Sequence, residues 1–195
     1  NSTNVDAHDY EPTTSDIAKL QKAQVIIVNG AGYDAWAVKA AQSANATIVN
    51  AAAVGGVNDG ENPHVWFSAD VRKAVAQAIT EAYEQADAAK KSDFDKLHDQ
   101  WKSEENNVES KIAEVKQKSD GLAYAATESV ASYLAEDMGL TDATPSGYAR
   151  ATANESEPTP TDIRQFADAL KSGEIKLLIV NTQLSLIHIS EPTRH

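Results

Sequence analysis

The sequence predicts an α/β protein with two Rossmann-like lobes, each built on a parallel sheet, joined by one long backbone helix. The main observation is an internal repeat: Glu11–Ile17 leads to the apolar run Val25–Asn29, and Glu157–Ile163 leads to Leu177–Asn181. A second observation is that strand-like apolar runs alternate with helical patterns, which is typical of parallel sheets. Two copies of a turn, a helix and a buried strand indicate two similar lobes with a cleft between them. The second copy is longer, so its helix or the following loop is expected to be longer.

In the first lobe, each element has a local reason to form. Thr13 or Thr14 can cap a helix whose first turn carries Asp16, an arrangement that the helix dipole favours. Glycines mark the turn after Asn29 and the loop that precedes His64. The predicted elements are helix Ser15–Lys22, strand Val25–Asn29, helix Tyr33–Ser43, strand Ala46–Ala51, loop Val54–Pro63 and the alanine-rich helix Ala69–Ala86.

A long amphipathic helix is predicted from Ser92 onward. Its apolar residues recur with helical spacing, and charged residues fill the positions between them. These apolar residues are Phe94, Leu97, Trp101, Val108, Ile112 and Val115. His98, beside Leu97 in a charged stretch, is expected to be a solvated residue of this helix. The second lobe then follows, with strand Leu122–Thr127, helix Ser129–Gly139 and a polar loop Thr141–Ser156 that leads into the second copy of the repeat.

These elements predict four segments along the chain. They are an amino-terminal lobe (1–91), a linking helix (92–119), a second lobe (120–183) and a tail (184–195). The tail looks like the translation of a sequencing-library adapter, so we expect it to be an artefact and do not count His188 and His195 as ligands. The chain is accordingly expected to be a fragment whose second lobe is incomplete.

Composition excludes several classes of function. Seventeen basic and 29 acidic side chains give a net charge of −12, which disfavours nucleic acid and anionic lipid as partners. The absence of cysteine removes disulfides, thiolate metal sites and cysteine nucleophiles. No apolar run reaches the ~20 residues of a membrane span, and no signal segment is recognisable in the sequence. A globular, monomeric protein is expected.

Two histidines in polar, proline-marked loops are the candidate functional residues. His8 and His64 each lie just before a predicted helix, and such loops gather along one edge of an α/β sheet. Glu128 follows the predicted strand of the second lobe, where ligands of α/β sheets bind. Imidazole and carboxylate suit a divalent metal. On spacing alone, however, two surface histidines are the commoner explanation, and Glu128 equally suits the first turn of a helix.

Four motifs, in order, resemble the solute-binding receptors of zinc, manganese and iron ABC importers, the metal-binding cluster A family. They are Asp6–Thr13, Val28–Trp36, Asn62–Phe67 and Glu155–Thr159. The resemblance covers almost all of residues 4–183. It implies a non-catalytic receptor of two α/β lobes joined by a rigid helix, which holds one divalent ion and delivers it to a membrane permease. It also implies an extracytoplasmic location, as a cell-surface lipoprotein or free in the periplasm.

The same resemblance implies the metal ligands. His8 and His64 match the first two ligand positions of the family, and Glu128 falls where the third ligand lies. Zinc receptors usually have histidine at that third position, whereas manganese and iron receptors usually have glutamate, so Mn²⁺ or Fe²⁺ is expected ahead of Zn²⁺. The fourth ligand, an aspartate, is expected beyond Gln183, and the first strand of the first lobe is expected to be missing. The loop before His64 also lacks the histidine-rich insertion of many zinc receptors.

Three alternatives remain open. Gly30-x-Gly32-x-x-Ala35 follows a strand as in dinucleotide-binding folds, but Asn50 stands where the companion acid is expected. Two histidines and a carboxylate also occur in non-haem iron oxygenases, although usually on a β-barrel scaffold. A surface adhesion protein would suit the long helix and the acidic composition but makes no use of the histidines.

Overall fold

The computed structural model describes residues 10, 12–154 and 156–181. The chain divides into two compact units, Asn1–Ser110 and Lys111–His195. Each unit contains its own parallel sheet, as the α/β prediction requires. Among the described residues, no helix combines the length and apolar character that a membrane-crossing segment needs. The four-segment division drawn from the sequence stays a prediction.

The first unit is built on a two-stranded parallel sheet. Its elements are α1 (Thr14–Leu20), β1 (Val25–Val28), α2 (Ala35–Ala41), β2 (Thr47–Asn50), α3 (Ala51–Val54), α4 (Ala69–Ala86) and the larger part of α5 (Lys91–Ser119). In the register of the sheet, Val28 pairs with Asn50, so both strands end at the same edge. The turn after β1 and the segment after β2 therefore begin side by side.

Small and β-branched residues form the core of the first unit. Ile26 and Val28 alternate along β1 and pack with Ala37 and Ala41 of α2. The alanines let the helix lie close to the strand, because they carry no side chain beyond Cβ. Val49 of β2 is buried as well, so each strand contributes apolar residues to the core. This packing holds the ends of β1 and β2 in fixed positions.

Contacts between α4 and the first two thirds of α5 complete this unit. The rings of Tyr83 and Phe94 lie 5.5 Å apart, and Thr80 Oγ1 lies 3.1 Å from His98 Nδ1. The long helix was predicted and is confirmed. His98, which the sequence suggested would be solvated, is half-buried because α4 covers it.

The second unit is built on a three-stranded parallel sheet. Besides the end of α5, its elements are β3 (Ala123–Ala126), α6 (Ser132–Asp137), β4 (Thr141–Asp142), α7 (Ser146–Ala153), α8 (Pro160–Lys171) and β5 (Leu177–Ile179). The strand order is β4-β3-β5, so β3 is central. Tyr124 and Ala126 pack towards Ala135, and Ala125 packs on the other face with Tyr148 and Phe166. The central strand is therefore covered on both faces.

The internal repeat is confirmed at the start of α1 and of α8. Thr13 caps α1 in a capping box with Asp16, and Thr159 caps α8 in the same way with Asp162. The Thr Oγ1 to Asp Oδ2 distance is 2.6 Å in both boxes. The second helix is the longer one, with 12 residues against 7, as the spacing of the repeat predicted.

Two predictions of local structure were wrong. The polar segment Thr141–Ser156 was predicted to be a loop, but it contains β4 and α7, because the buried ring of Tyr148 anchors it 4.5 Å from the ring of Phe166. Ala51 was predicted to end β2, but it starts α3. The reason is that the Asn50 side chain caps this helix, accepting a hydrogen bond from Ala53 N at 3.0 Å.

Candidate metal centre

His64 is buried, with 5% of its surface exposed, although it lies in a segment without regular structure before a short 3-10 turn, Val65–Phe67. Asn62 Oδ1 accepts a hydrogen bond from the backbone N–H of His64 at 3.1 Å and lies 2.6 Å from its Nδ1. A backbone N–H is only a donor, so the Asn62 atom between them is the amide oxygen, an acceptor. His64 Nδ1 therefore carries the hydrogen, and the lone pair of the ring is on Nε2. This is the arrangement in which a neutral imidazole binds a metal ion through Nε2.

Asn29, the residue directly after β1, holds the segment before His64. Asn29 Nδ2 donates hydrogen bonds to Pro63 O at 2.8 Å and to Gly30 O at 3.1 Å. The backbone of Asn29 is fixed in turn, since the Asp34 carboxylate accepts from Asn29 N at 2.7 Å and from Gly30 N at 2.9 Å. The peptide that joins Pro63 to His64 is thus tied to the end of a buried strand.

The turn after His64 is held from the other side by an arginine. Arg72 Nη1 on α4 donates to Trp66 O at 3.3 Å and to Phe67 O at 3.1 Å. The same guanidinium pairs with Glu105 of α5, with Nε 3.0 Å from Glu105 Oε1. Glu105 is buried, so this ion pair belongs to the interior of the first unit and fixes α5 against the turn that follows His64.

Aromatic rings surround the imidazole. The ring of Trp66 lies 5.4 Å from that of His64 and 5.3 Å from that of Tyr33, both in edge-on geometry. Tyr33 also lies 6.2 Å from His64. Trp66, which is 40% exposed, therefore packs against the imidazole and Tyr33. These contacts restrict the orientation of the imidazole ring to the one that the Asn62 contact selects.

Glu128 lies in the second unit, close after the central strand β3, which ends at Ala126, one residue earlier than predicted. Its Oε2 accepts a hydrogen bond from Asn181 Nδ2, and Asn181 follows the neighbouring strand β5. Thr127, the fully buried residue before Glu128, donates its N–H to Ile179 O at 3.0 Å. Its Oγ1 accepts a hydrogen bond from Asn181 N at 2.9 Å. The carboxylate is therefore attached to the ends of two parallel strands.

The remaining predicted ligand, His8, lies outside the described residues. Tyr10, close to it in sequence, donates its hydroxyl to Asp16 Oδ2 at 2.9 Å and lies 5.5 Å from the ring of Trp36. Within residues 10, 12–154 and 156–181, no three histidine, aspartate or glutamate side chains are gathered into a group that could hold a metal ion. His64 belongs to the first unit and Glu128 to the second.

Sequence reasoning missed the residues that hold the candidate ligands. Asn62, Asn29 and Asn181 all bond to a predicted ligand or to the peptide before it. A signal for two of them was present, because Asn29 and Asn181 end the two copies of the repeat at the same relative position. Arg72 carried no such signal, since it reads as one of several charged residues on α4.

The turn after β1 does not resemble a nucleotide cradle. Gly30, Ala31 and Gly32 all have positive φ angles, of 79°, 50° and 83°. In dinucleotide-binding folds, the backbone N–H groups of such a turn face a pyrophosphate. Here the N–H groups of Asn29 and Gly30 donate to Asp34 instead, so a carboxylate of the chain itself takes the place of the anion.

A family model described as "Zinc-uptake complex component A periplasmic" matches residues 2–190. This is a family of uptake components rather than of enzymes, so the two enzyme alternatives find no support in it.

Curated relatives carry the names of three different metals. The high-affinity zinc uptake system protein of Bacillus subtilis is 21% identical over 197 residues, which cover 90% of this chain and 60% of that protein. The iron-binding protein YfeA of Yersinia pestis is 23% identical, covering 91% and 60%. The manganese ABC transporter substrate-binding lipoprotein of Streptococcus anginosus is 24% identical, covering 92% and 62%. The chain thus spans about three fifths of the length of these relatives.

Solved structures show the same fold. The crystal structure of ZnuA has a TM-score of 0.74 at 18% identity, covering 95% of this chain and 74% of that one. The laminin-binding protein of Streptococcus agalactiae, described as a bifunctional protein with adhesin and metal transporting activity, has a TM-score of 0.74 at 18% identity, covering 94% of this chain and 70% of that one. At these identities the likeness shows the fold alone, and it confirms the α/β prediction with parallel sheets and a long helix.

Proposed function

Because the chain belongs to the zinc-uptake complex component A family, we propose that it is the ion-capturing part of a metal importer. In this proposal it binds a divalent transition metal ion outside the cytoplasm and delivers the ion to the membrane permease of an ABC transporter. The relatives named as metal ABC transporter lipoproteins support this proposal. They also favour attachment to the cell surface by a lipid, whereas the description of the family favours the periplasm.

The geometry of His64 is the observation that carries the proposal. A buried histidine is more often a packing residue than a ligand, but a packing residue does not require one defined tautomer. The Asn62 contact gives His64 such a tautomer, with the lone pair on Nε2. Hydrogen bonds from Asn29 to Pro63 O and from Arg72 to Phe67 O also restrict the backbone on both sides of His64. Restraint of this degree is what a metal ligand needs.

The proposed ligands are His8, His64 and Glu128. Their order along the chain agrees with the family motifs, and Glu128 lies at the carboxyl end of a parallel strand, where α/β folds bind ligands. Two imidazoles and one carboxylate form a donor set for a first-row transition metal.

Within that group of metals we propose Mn²⁺ or Fe²⁺ ahead of Zn²⁺. A carboxylate oxygen at the third position is a harder donor than an imidazole nitrogen, and harder donors suit Mn²⁺ and Fe²⁺. The relatives include receptors named for each of the three metals, so the argument rests on Glu128. Equilibrium affinity alone would still favour Zn²⁺, since the Irving–Williams order applies to any such site. The preference must then come from geometry and from metal supply.

Titration of the metal-free chain tests the proposal. Isothermal titration calorimetry with Mn²⁺, Zn²⁺ and anaerobic Fe²⁺ should give one ion per chain. His64→Ala and Glu128→Ala should each abolish stoichiometric binding, whereas the control His98→Ala should retain it, because His98 packs against Thr80 on α4. Binding that is unchanged in both ligand variants would contradict the proposed function. Stoichiometric Zn²⁺ binding without any binding of Mn²⁺ or Fe²⁺ would contradict the metal preference.

A further inference from the structure

The internal repeat ends on an asparagine in both copies, and each asparagine bonds to a segment that carries a proposed ligand. Asn29 follows β1 and Asn181 follows β5, the strands that close the two copies. We infer that Asn29 and Asn181 are paired positioning residues, one in each unit, that orient His64 and Glu128 for metal binding. This inference rests on the proposed function and extends it to residues outside the ligand set.

In the first unit, the asparagine acts through the backbone. Asn29 Nδ2 donates to Pro63 O at 2.8 Å across 34 residues of sequence. Pro63 has a fixed φ angle, so a hydrogen bond to its carbonyl fixes the plane of the peptide that leads to His64. Asp34 holds the Asn29 backbone by accepting from its N–H at 2.7 Å. A displacement of the Asn29 amide would therefore rotate the peptide that carries the imidazole.

In the second unit, the asparagine acts on the ligand itself. Asn181 Nδ2 donates to Glu128 Oε2, and Asn181 N donates to Thr127 Oγ1 at 2.9 Å. Thr127 is fully buried and is bonded to β5 through Ile179 O. The amide thus holds one carboxylate oxygen in place. The backbone bond to Thr127 does not depend on the side chain at position 181, so the strand ends can stay paired when that side chain is changed.

An amide is the side chain that suits both places. It donates a hydrogen bond without adding charge, so it orients a carbonyl or a carboxylate without competing for the cation. An aspartate of the same shape would have no donor, and next to Glu128 it would add a second negative charge. Residues that orient metal ligands in this way typically change metal affinity by about 10 to 100-fold when they are lost.

The isosteric changes Asn29→Asp and Asn181→Asp test the inference, with Asn107→Asp on the exposed surface of α5 as the matched control. Asn29→Ala and Asn181→Ala remove the same amides without adding a charge. Far-ultraviolet circular dichroism of all variants then shows whether aspartate alone causes a folding defect. Co²⁺ is the probe, because its visible absorption reports coordination geometry as well as affinity. We expect Asn29→Asp and Asn29→Ala to weaken Co²⁺ binding about 10 to 100-fold at unchanged stoichiometry and to alter the visible spectrum.

For Asn181, the alanine variant should weaken binding and alter the spectrum in the same way. The aspartate variant should alter the spectrum most, because it offers a further carboxylate oxygen to the ion. Asn107→Asp should bind as the parent does. A merely structural effect would lower stability in urea without changing the spectrum of the bound ion, and this result would overturn the inference.

Parental affinity and spectrum in the variants of either asparagine would also overturn it, because the inference requires both copies of the repeat to act alike. These failures differ from failure of the proposed function. In the latter case the parent chain would not bind metal through His64, and His64→Ala would bind Co²⁺ as the parent does.

Discussion

The buried ion pair between α4 and α5 gives a prediction whose size follows from the structure. Arg72 bonds to Glu105 and, through Nη1, to the carbonyls of Trp66 and Phe67. We predict that Arg72→Met and Glu105→Met each destabilise the first unit, and that the double variant is no less stable than Arg72→Met alone. The reason is that each single change leaves one buried charge without its partner.

The magnitude depends on burial. The side chains of Arg72 and Glu105 are 21% and 8% exposed. Breaking a fully buried pair costs about 3–5 kcal/mol, and the exposed part of Arg72 reduces this to about 2–3 kcal/mol for Glu105→Met. Arg72→Met should cost about 1 kcal/mol more, because two carbonyls also lose a donor. The coupling in the double-mutant cycle is then about 2–3 kcal/mol.

Urea unfolding followed by tryptophan fluorescence measures this coupling in the first unit alone. All three tryptophans, Trp36, Trp66 and Trp101, lie within that unit. A second ion pair, Lys73 with Glu109, joins the same two helices, but its side chains are 47% and 29% exposed. A double-mutant cycle with methionine at these two positions should therefore give a coupling energy of less than about 1 kcal/mol. Additive single effects for Arg72 and Glu105, or equal coupling in the two cycles, would refute the argument from burial.

Four other substitutions test the packing and the helix caps. Phe166→Ala, in the fully buried core of the second unit, should cost about 3–5 kcal/mol; circular dichroism should show this loss while the tryptophan transition stays where it was. Gly55→Ala should cost about 1–3 kcal/mol in urea, because a Cβ there would lie 2.5 Å from Val71 Cγ2. Hydrogen bonds from the capping threonines hold the pKa of Asp16 and of Asp162 below its usual range. The stabilisation that these two ionised carboxylates provide is therefore present above pH ~4 and is lost as the pH falls through the lowered pKa values. Asp16→Asn and Asp162→Asn should therefore make the melting temperature depend less on pH in the acid range. An unchanged dependence on pH would contradict this.

Local signals account for the parts of the fold that the sequence predicted. The helix Ala69–Ala86 was predicted with the bounds that it has, because helix-forming residues fill its interior. The structure adds that Ser68 caps its first turn. The strands β1 and β3 were predicted because they are short apolar runs bounded by turn residues. The two capping boxes could be recognised in the sequence because the same residues recur in both copies of the repeat. In each case the sequence signal and the structural cause lie within a few residues of one another.

The failures have a non-local cause. The segment that contains α7 is polar over most of its length, and a single ring, that of Tyr148, packs it against Phe166. No periodic pattern in the sequence indicates this contact, because the helix has only 8 residues. His98 was misjudged for the same reason, since its burial comes from α4, 18 residues earlier at Thr80. Burial that depends on a partner helix cannot be derived from the composition around the residue.

The same difference between local and non-local causes applies to the candidate site. Histidine and glutamate attract notice in a sequence because their side chains can bind metals, so His8, His64 and Glu128 could be proposed from residue type, loop position and family motif. The asparagines could not be given a function, because their partners lie 34 and 53 residues away. The repeat shows only that Asn29 and Asn181 are equivalent; the structure adds that both donate an amide hydrogen towards a proposed ligand. Equivalent position together with equivalent bonding is a stronger reason to expect a shared function than either observation alone.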